Sequence, residues 1–95
     1  MNNSRPSWTL ISSHGTVLVY VANHPDATIR EIAREVELTE RRVMELLKDL
    51  SDAKLIMIER TGRRNAYQVR AGKSTVHPDV PVSVADFLRL SKSAA

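Results

Sequence analysis

The chain has 95 residues, a net charge of +3, 42% hydrophobic and 26% charged residues, and no cysteine. That length supports one domain with a modest core, and the missing cysteine excludes disulfides and thiolate-ligated zinc. The longest apolar run, Val17 to Ala22, is far short of the ~20 residues a bilayer span takes, and the opening MNNSRPS has neither the basic start nor the apolar core of a signal peptide, so a cytoplasmic location with no membrane partner is expected.

Residues 1–7 are polar and contain Pro6, which predicts a flexible tail. Trp8, Leu10 and Ile11 are apolar enough to pack against the body. Ser12 or Ser13 can cap a helix running to about Asn23, with Val17, Leu18, Val21 and Ala22 turned inward. His24-Pro25-Asp26 ends it, because proline disfavours helical geometry in the residue before it. Thr28 and Glu31 have capping-box spacing and open a second helix. Its apolar stripe is Ile29, Ile32, Ala33 and Val36 at i, i+3, i+4 and i+7. After Glu37-Leu38-Thr39, with Thr39 as cap, the same spacing returns in Val43, Leu46, Leu47 and Leu50. So short a gap forbids antiparallel packing and makes the two helices cross steeply. That is helix-turn-helix geometry, whose second helix can enter a DNA major groove.

Lys54 to Arg60, KLIMIER, is rich in β-formers and predicts a strand. Thr61-Gly62-Arg63-Arg64-Asn65 supplies a turn, with Gly62 and Asn65 tolerant of positive φ. Ala66 to Arg70 then alternates, Tyr67 and Val69 on one face and Gln68 and Arg70 on the other. A hairpin directly after a helix-turn-helix is a wing. Residues 71–82, with Gly72, Pro78 and Pro81, are expected to be a linker. Ser83 caps a last helix reaching about Lys92, with Asp86 in its first turn and Val84, Phe87 and Leu88 as its apolar stripe. Phe87 either completes the monomer core or belongs to a dimer interface; the sequence leaves both open. The expected organisation is a tail over 1–7, a winged domain over 8–70, a linker over 71–82 and a terminal helix over 83–95. The fold class is α+β, a three-helix core with a two-stranded wing and an additional C-terminal helix.

Charge is distributed unevenly. Residues 1–59 carry seven Lys/Arg against nine Asp/Glu, whereas residues 60–95 carry seven against two. The excess concentrates in Arg60, Arg63, Arg64, Arg70 and Lys73, the electrostatic footprint of a polyanion site. With the apolar stripe buried, the second helix of the pair exposes Glu40, Arg41, Met44, Glu45 and Lys48. Arg41 is the expected base reader, since arginine can bond guanine O6 and N7 bidentately; the competing expectation is an i,i+4 pair with Glu45. Arg42 and Lys48 suit the flanking phosphates, and Thr28 and Thr39 can donate hydroxyls to phosphate at helix N-termini. Arg63 and Arg64, followed by Asn65, suit the minor groove. His14, His24 and His77 share no ligand spacing, so no metal or other cofactor is expected. No GxSxG, phosphate loop or carboxylate pair points to an enzyme.

The order of elements, and the stretch from Trp8 to Val69 with its "IA…LT" helix-turn, "V…L" second helix and wing ending in GRR-N-Y-V, resembles small prokaryotic winged-helix transcriptional regulators of the MarR-like kind. The resemblance implies a non-catalytic regulator that binds double-stranded DNA, dimeric as a homodimer. Such regulators often carry glycine where this chain has Glu37 and Lys54. They usually place small polar or basic residues where it has Met44 and Glu45. Glu45 would repel phosphate, although a carboxylate can accept from the cytosine amino group. The other function class consistent with the sequence is a winged-helix protein-interaction module, favoured by Glu40, Glu45, Asp49 and Asp52. No effector pocket is evident within so short a chain.

Overall fold

The structure, a computed structural model, describes residues 8–62 and 64–93. The tail expected over 1–7 and the wing residue Arg63 lie outside the described residues. In chain order the elements are α1 (Ser13–Asn23), α2 (Ile29–Val36), α3 (Glu40–Asp52), β1 (Ile56–Thr61), β2 (Arg64–Val69), β3 (Thr75–His77), β4 (Val80–Ser83) and α4 (Val84–Ser93).

Each of the first three helices starts where a side-chain oxygen can take a free first-turn amide. Ser12 accepts from the Gly15 amide at 3.2 Å, Thr28 from Glu31 at 3.1 Å and Thr39 from Arg42 at 3.1 Å. At Thr28 the box is complete, because the Glu31 carboxylate accepts the Thr28 amide at 2.8 Å. The ends of α2 and α3 are alike. Glu37 (φ 59°) and Lys54 (φ 64°) are left-handed, and the following amides, of Leu38 and Leu55, reach back to Ala33 and Leu50 at 3.0 and 2.9 Å. These are Schellman endings. Leu38 and Leu55 then turn inward against the core.

The core is built from the residues whose periodicity marked them. Val17, Leu18 and Val21 of α1, Ile32 and Ala33 of α2, and Val43, Leu46, Leu47 and Leu50 of α3 are all buried, closed by Ala27, Ile56, Tyr67 and Val84. Burying side chains of this size contributes about 1.5–3 kcal/mol each before entropy is counted. Trp8 and Leu10 behave differently from expectation: they are 64% and 90% exposed. Both lie ahead of α1, whose own Val17, Leu18 and Val21 supply that element's buried contacts.

β1 and β2 form an antiparallel pair in the register Ile56↔Val69 through Thr61↔Arg64. Ile56, Ile58, Tyr67 and Val69 therefore share a face, and that face carries the two buried residues Ile56 and Tyr67. The turn is tighter than the sequence suggested. Only residues 62 and 63 connect the strands, Gly62 supplying a φ of 65°, while Arg64 and Asn65 lie on β2 opposite Thr61 and Arg60. The wing is anchored by main-chain bonds at its base: the Tyr67 amide donates to Pro25 O at 2.8 Å and the Arg70 amide to Leu55 O at 2.7 Å.

The segment read as a linker holds a second hairpin. β3 and β4 pair antiparallel with an irregularity between Thr75 and His77. Pro81 is accommodated because both strands of a two-stranded sheet are edges. Ser83 does cap α4, accepting from Asp86 at 3.0 Å. Val84 is buried and Leu88 packs on the core, whereas Phe87 is only half-buried.

Candidate nucleic-acid interface

α3 turns Glu40, Arg41, Arg42, Met44, Glu45 and Lys48 to solvent, directly opposite its buried stripe. The cations on this face are not equivalent. Arg42 Nη1 donates to Glu45 Oε1 at 3.1 Å, and Lys48 Nζ donates to Asp52 Oδ2 at 2.8 Å. The hydrogen bond and charge of Asp52 push the Lys48 ammonium above its ordinary value. Arg41 has no hydrogen-bond or ion-pair partner among the described residues. The competing expectation, an i,i+4 pair between Arg41 and Glu45, gives way to an i,i+3 pair in which Arg42 takes the Glu45 carboxylate. Met44 stands beside this row, about half exposed.

The wing brings Arg64 back to the body. Its Nη1 donates to Asp26 O at 2.8 Å and lies 3.4 Å from Glu31 Oε1. Glu31 therefore serves two partners, the Thr28 amide of its own capping box and the wing arginine. The Thr28 amide holds its carboxyl below the usual carboxylate range, and the charge of Arg64 adds to the effect. Asn65 Nδ2 donates to Tyr67 Oη at 3.1 Å, on the inward face of the hairpin. Burial pushes the Tyr67 hydroxyl pKa upward. Arg64 and Asn65 were expected at a turn tip; on β2 they are occupied with the body and the hairpin.

Sequence reasoning missed the partners of Arg64, since Asp26 and Glu31 lie 38 and 33 residues away in the chain and only a known register would bring them together. Tyr20, His24, Asp26, Ala27, Glu31 and Arg64 line a polar hollow of about 440 Å³ beside this link. The Tyr20 and His24 rings stack there, with centroids 4.2 Å apart. At the other end of α1, His14 Nε2 is 2.8 Å from Asp49 Oδ2 and ties α1 to α3. No group of three or more His, Asp or Glu among the described residues could hold a metal ion. None of the described helices is long and apolar enough to cross a membrane.

Away from α3, an apolar groove of about 420 Å³ runs between α1 and α4, lined by Ile11, Thr16, Val19, Phe87, Leu90 and Ser91. Exposed Trp8 and Leu10 lie just before α1 in the chain.

No protein-family model matches the chain, and no curated protein matches it significantly. Solved structures do. The chain is similar to MepR, the transcription regulator of the Staphylococcus aureus multidrug efflux pump MepA, with a TM-score of 0.60 and 21% identity over 90% of this chain and 61% of that one. It is also similar to two variants of ZitR of Lactococcus lactis. One gives a TM-score of 0.58 at 16% identity over 99% of this chain and 56% of that one. The other gives 0.55 at 18% over 97% and 65%. The chain spans roughly three-fifths of the length of these proteins. Helix pair, wing and neighbours agree: the chain has the winged helix-turn-helix fold of these regulators.

Proposed function

We propose that this protein is a non-catalytic, double-stranded DNA-binding transcriptional regulator of the cytoplasm, related to MarR-like proteins and working as a homodimer. The observation that carries the reading is the outward face of α3, which is exposed among the described residues and carries in its first turn an arginine, Arg41, with no partner among them. In the major groove Arg41 would reach a guanine edge. Arg42, Lys48, Thr28 and Thr39 would stand towards the flanking phosphates, with the helix N-termini favouring anions. Arg63 would carry the wing to the minor groove or backbone, while Arg64 braces it.

The apolar groove between α1 and α4 supports a dimer, because a second copy would cover Phe87 and Leu90. Two α3 helices about 34 Å apart would then read half-sites one DNA turn apart. The second reading, a protein-docking face, is favoured by the intrahelical neutralisation of Arg42 and Lys48.

Fluorescence anisotropy with a mixed-sequence duplex at low and moderate salt separates the two. Micromolar or tighter binding that weakens steeply with salt is expected for the DNA reading. No binding even at low salt would overturn it and send the search to a protein partner.

A further inference from the structure

We propose that Glu45 and Asp52 are specificity-determining residues of α3: by holding Arg42 and Lys48 in intrahelical pairs, they suppress non-cognate DNA binding and leave Arg41 as the base-reading cation. The inference rests on the DNA-binding reading above and concerns the same helix.

The placement follows from helical spacing. Arg41, Glu45, Lys48 and Asp52 fall at i, i+4, i+7 and i+11, one row along the helix, opposite Val43, Leu46, Leu47 and Leu50. Charge alternates along that row, beginning with the cation. Lys48 is bonded to the next member, Asp52, and Glu45 takes Arg42 from the flank, at 2.8 and 3.1 Å. Only Arg41 in this set keeps its donors for another molecule, and it stands at the helix N-terminal turn, the part that meets base edges in this docking geometry.

The consequence is electrostatic. Non-specific affinity comes almost wholly from cations that displace counterions from phosphate. A cation already paired contributes little unless the pair opens, and its carboxylate also repels the same phosphates. Both pairs are exposed and individually weak, so they open readily and the suppression is graded rather than absolute. A guanine placed under Arg41 is unaffected by this, because Arg41 has no pair to break. Both affinities fall through the shared phosphate contacts, so a non-cognate duplex, which offers nothing else, is left weakly bound while a site with guanine under Arg41 keeps its base contact.

The test compares the unaltered protein with Glu45→Gln, Asp52→Asn and the double variant on a mixed-sequence duplex, titrated by anisotropy across about 50–200 mM salt. Each single change should tighten binding about two- to fivefold, the double change about tenfold. The slope of log affinity against log salt should steepen by up to about 0.9 for each cation released. Thermal melting should stay unchanged within a few degrees, since these are surface positions. Binding by the unaltered protein with unchanged affinities and slopes in the variants would overturn the inference alone. Weaker binding by Glu45→Gln would also overturn it, assigning Glu45 to a base contact. Absence of binding by the unaltered protein even at the lowest salt, whether or not the variants bind, would overturn the DNA reading and the inference together.

Discussion

Glu31 is the residue at which several scales meet, because its carboxylate accepts from the Thr28 amide and lies beside Arg64. Its pKa is depressed in the folded chain, so the stability it contributes is present above its ordinary value of 4.5 and is lost as pH falls through the lower folded value. Chemical denaturation followed from pH 7 down to 3 should show this loss, and Glu31→Gln should flatten the acid limb while lowering stability at neutral pH. Thr28→Ala removes the other half of the box and should cost about 1 kcal/mol. Lys54 offers the opposite case. A lysine at φ 64° carries left-handed strain of about 1–2 kcal/mol, whereas glycine there would cost about 0.5–1 kcal/mol in unfolded-state freedom. Strain wins. Lys54→Gly should stabilise the protein by about 0.5–1 kcal/mol, measured as a higher denaturant midpoint with an unchanged slope.

The helices were legible in the sequence because their determinants are local. Caps at Ser12, Thr28 and Thr39 and stripes of 3.6 period are set within one or two turns of chain, and each appears where its residues put it. The two left-handed positions, Glu37 and Lys54, were only hinted at, by the glycine that the resemblance often sets there. The β3–β4 hairpin was not. Val76, Val80 and Val82 are all exposed, so no alternation of burial marks the strands, and Pro78 and Pro81 read as breakers. Arg64 and Asn65 were misplaced for a related reason: a two-residue turn puts them on a strand, and turn length is fixed by pairing rather than by composition. This changes what the wing arginines should do. Arg63→Ala should flatten the salt slope of DNA binding by about 0.9, whereas Arg64→Ala, which loses links to Asp26 O and Glu31, should chiefly loosen the wing. Anisotropy titrations of the two single variants, with melting curves alongside, would check the division.

At the scale of the whole molecule, the apolar groove between α1 and α4 is the surface that a second copy would cover. Phe87 is half-buried and Leu90 two-thirds exposed, so a second copy has apolar surface to remove from water. Phe87→Asp should convert a dimer to a monomer in sedimentation velocity and weaken binding to two-half-site DNA more than to mixed sequence; a monomer before and after the change would sink the dimer. The anchoring of the wing has a different consequence, one of timescale. The Tyr67 amide is bonded to Pro25 O, between α1 and α2, and its residue is buried. Its hydrogen can exchange with solvent only when β2 parts from the helical body, so it should exchange as slowly as the amides of α3. The amides of β3 and β4, in a hairpin with exposed valines, should exchange by local opening, orders of magnitude sooner. The base of the wing then belongs to the same cooperative unit as α3. A ligand that orders the wing would slow exchange in α3 as well, so hydrogen exchange at either could report occupancy at the other.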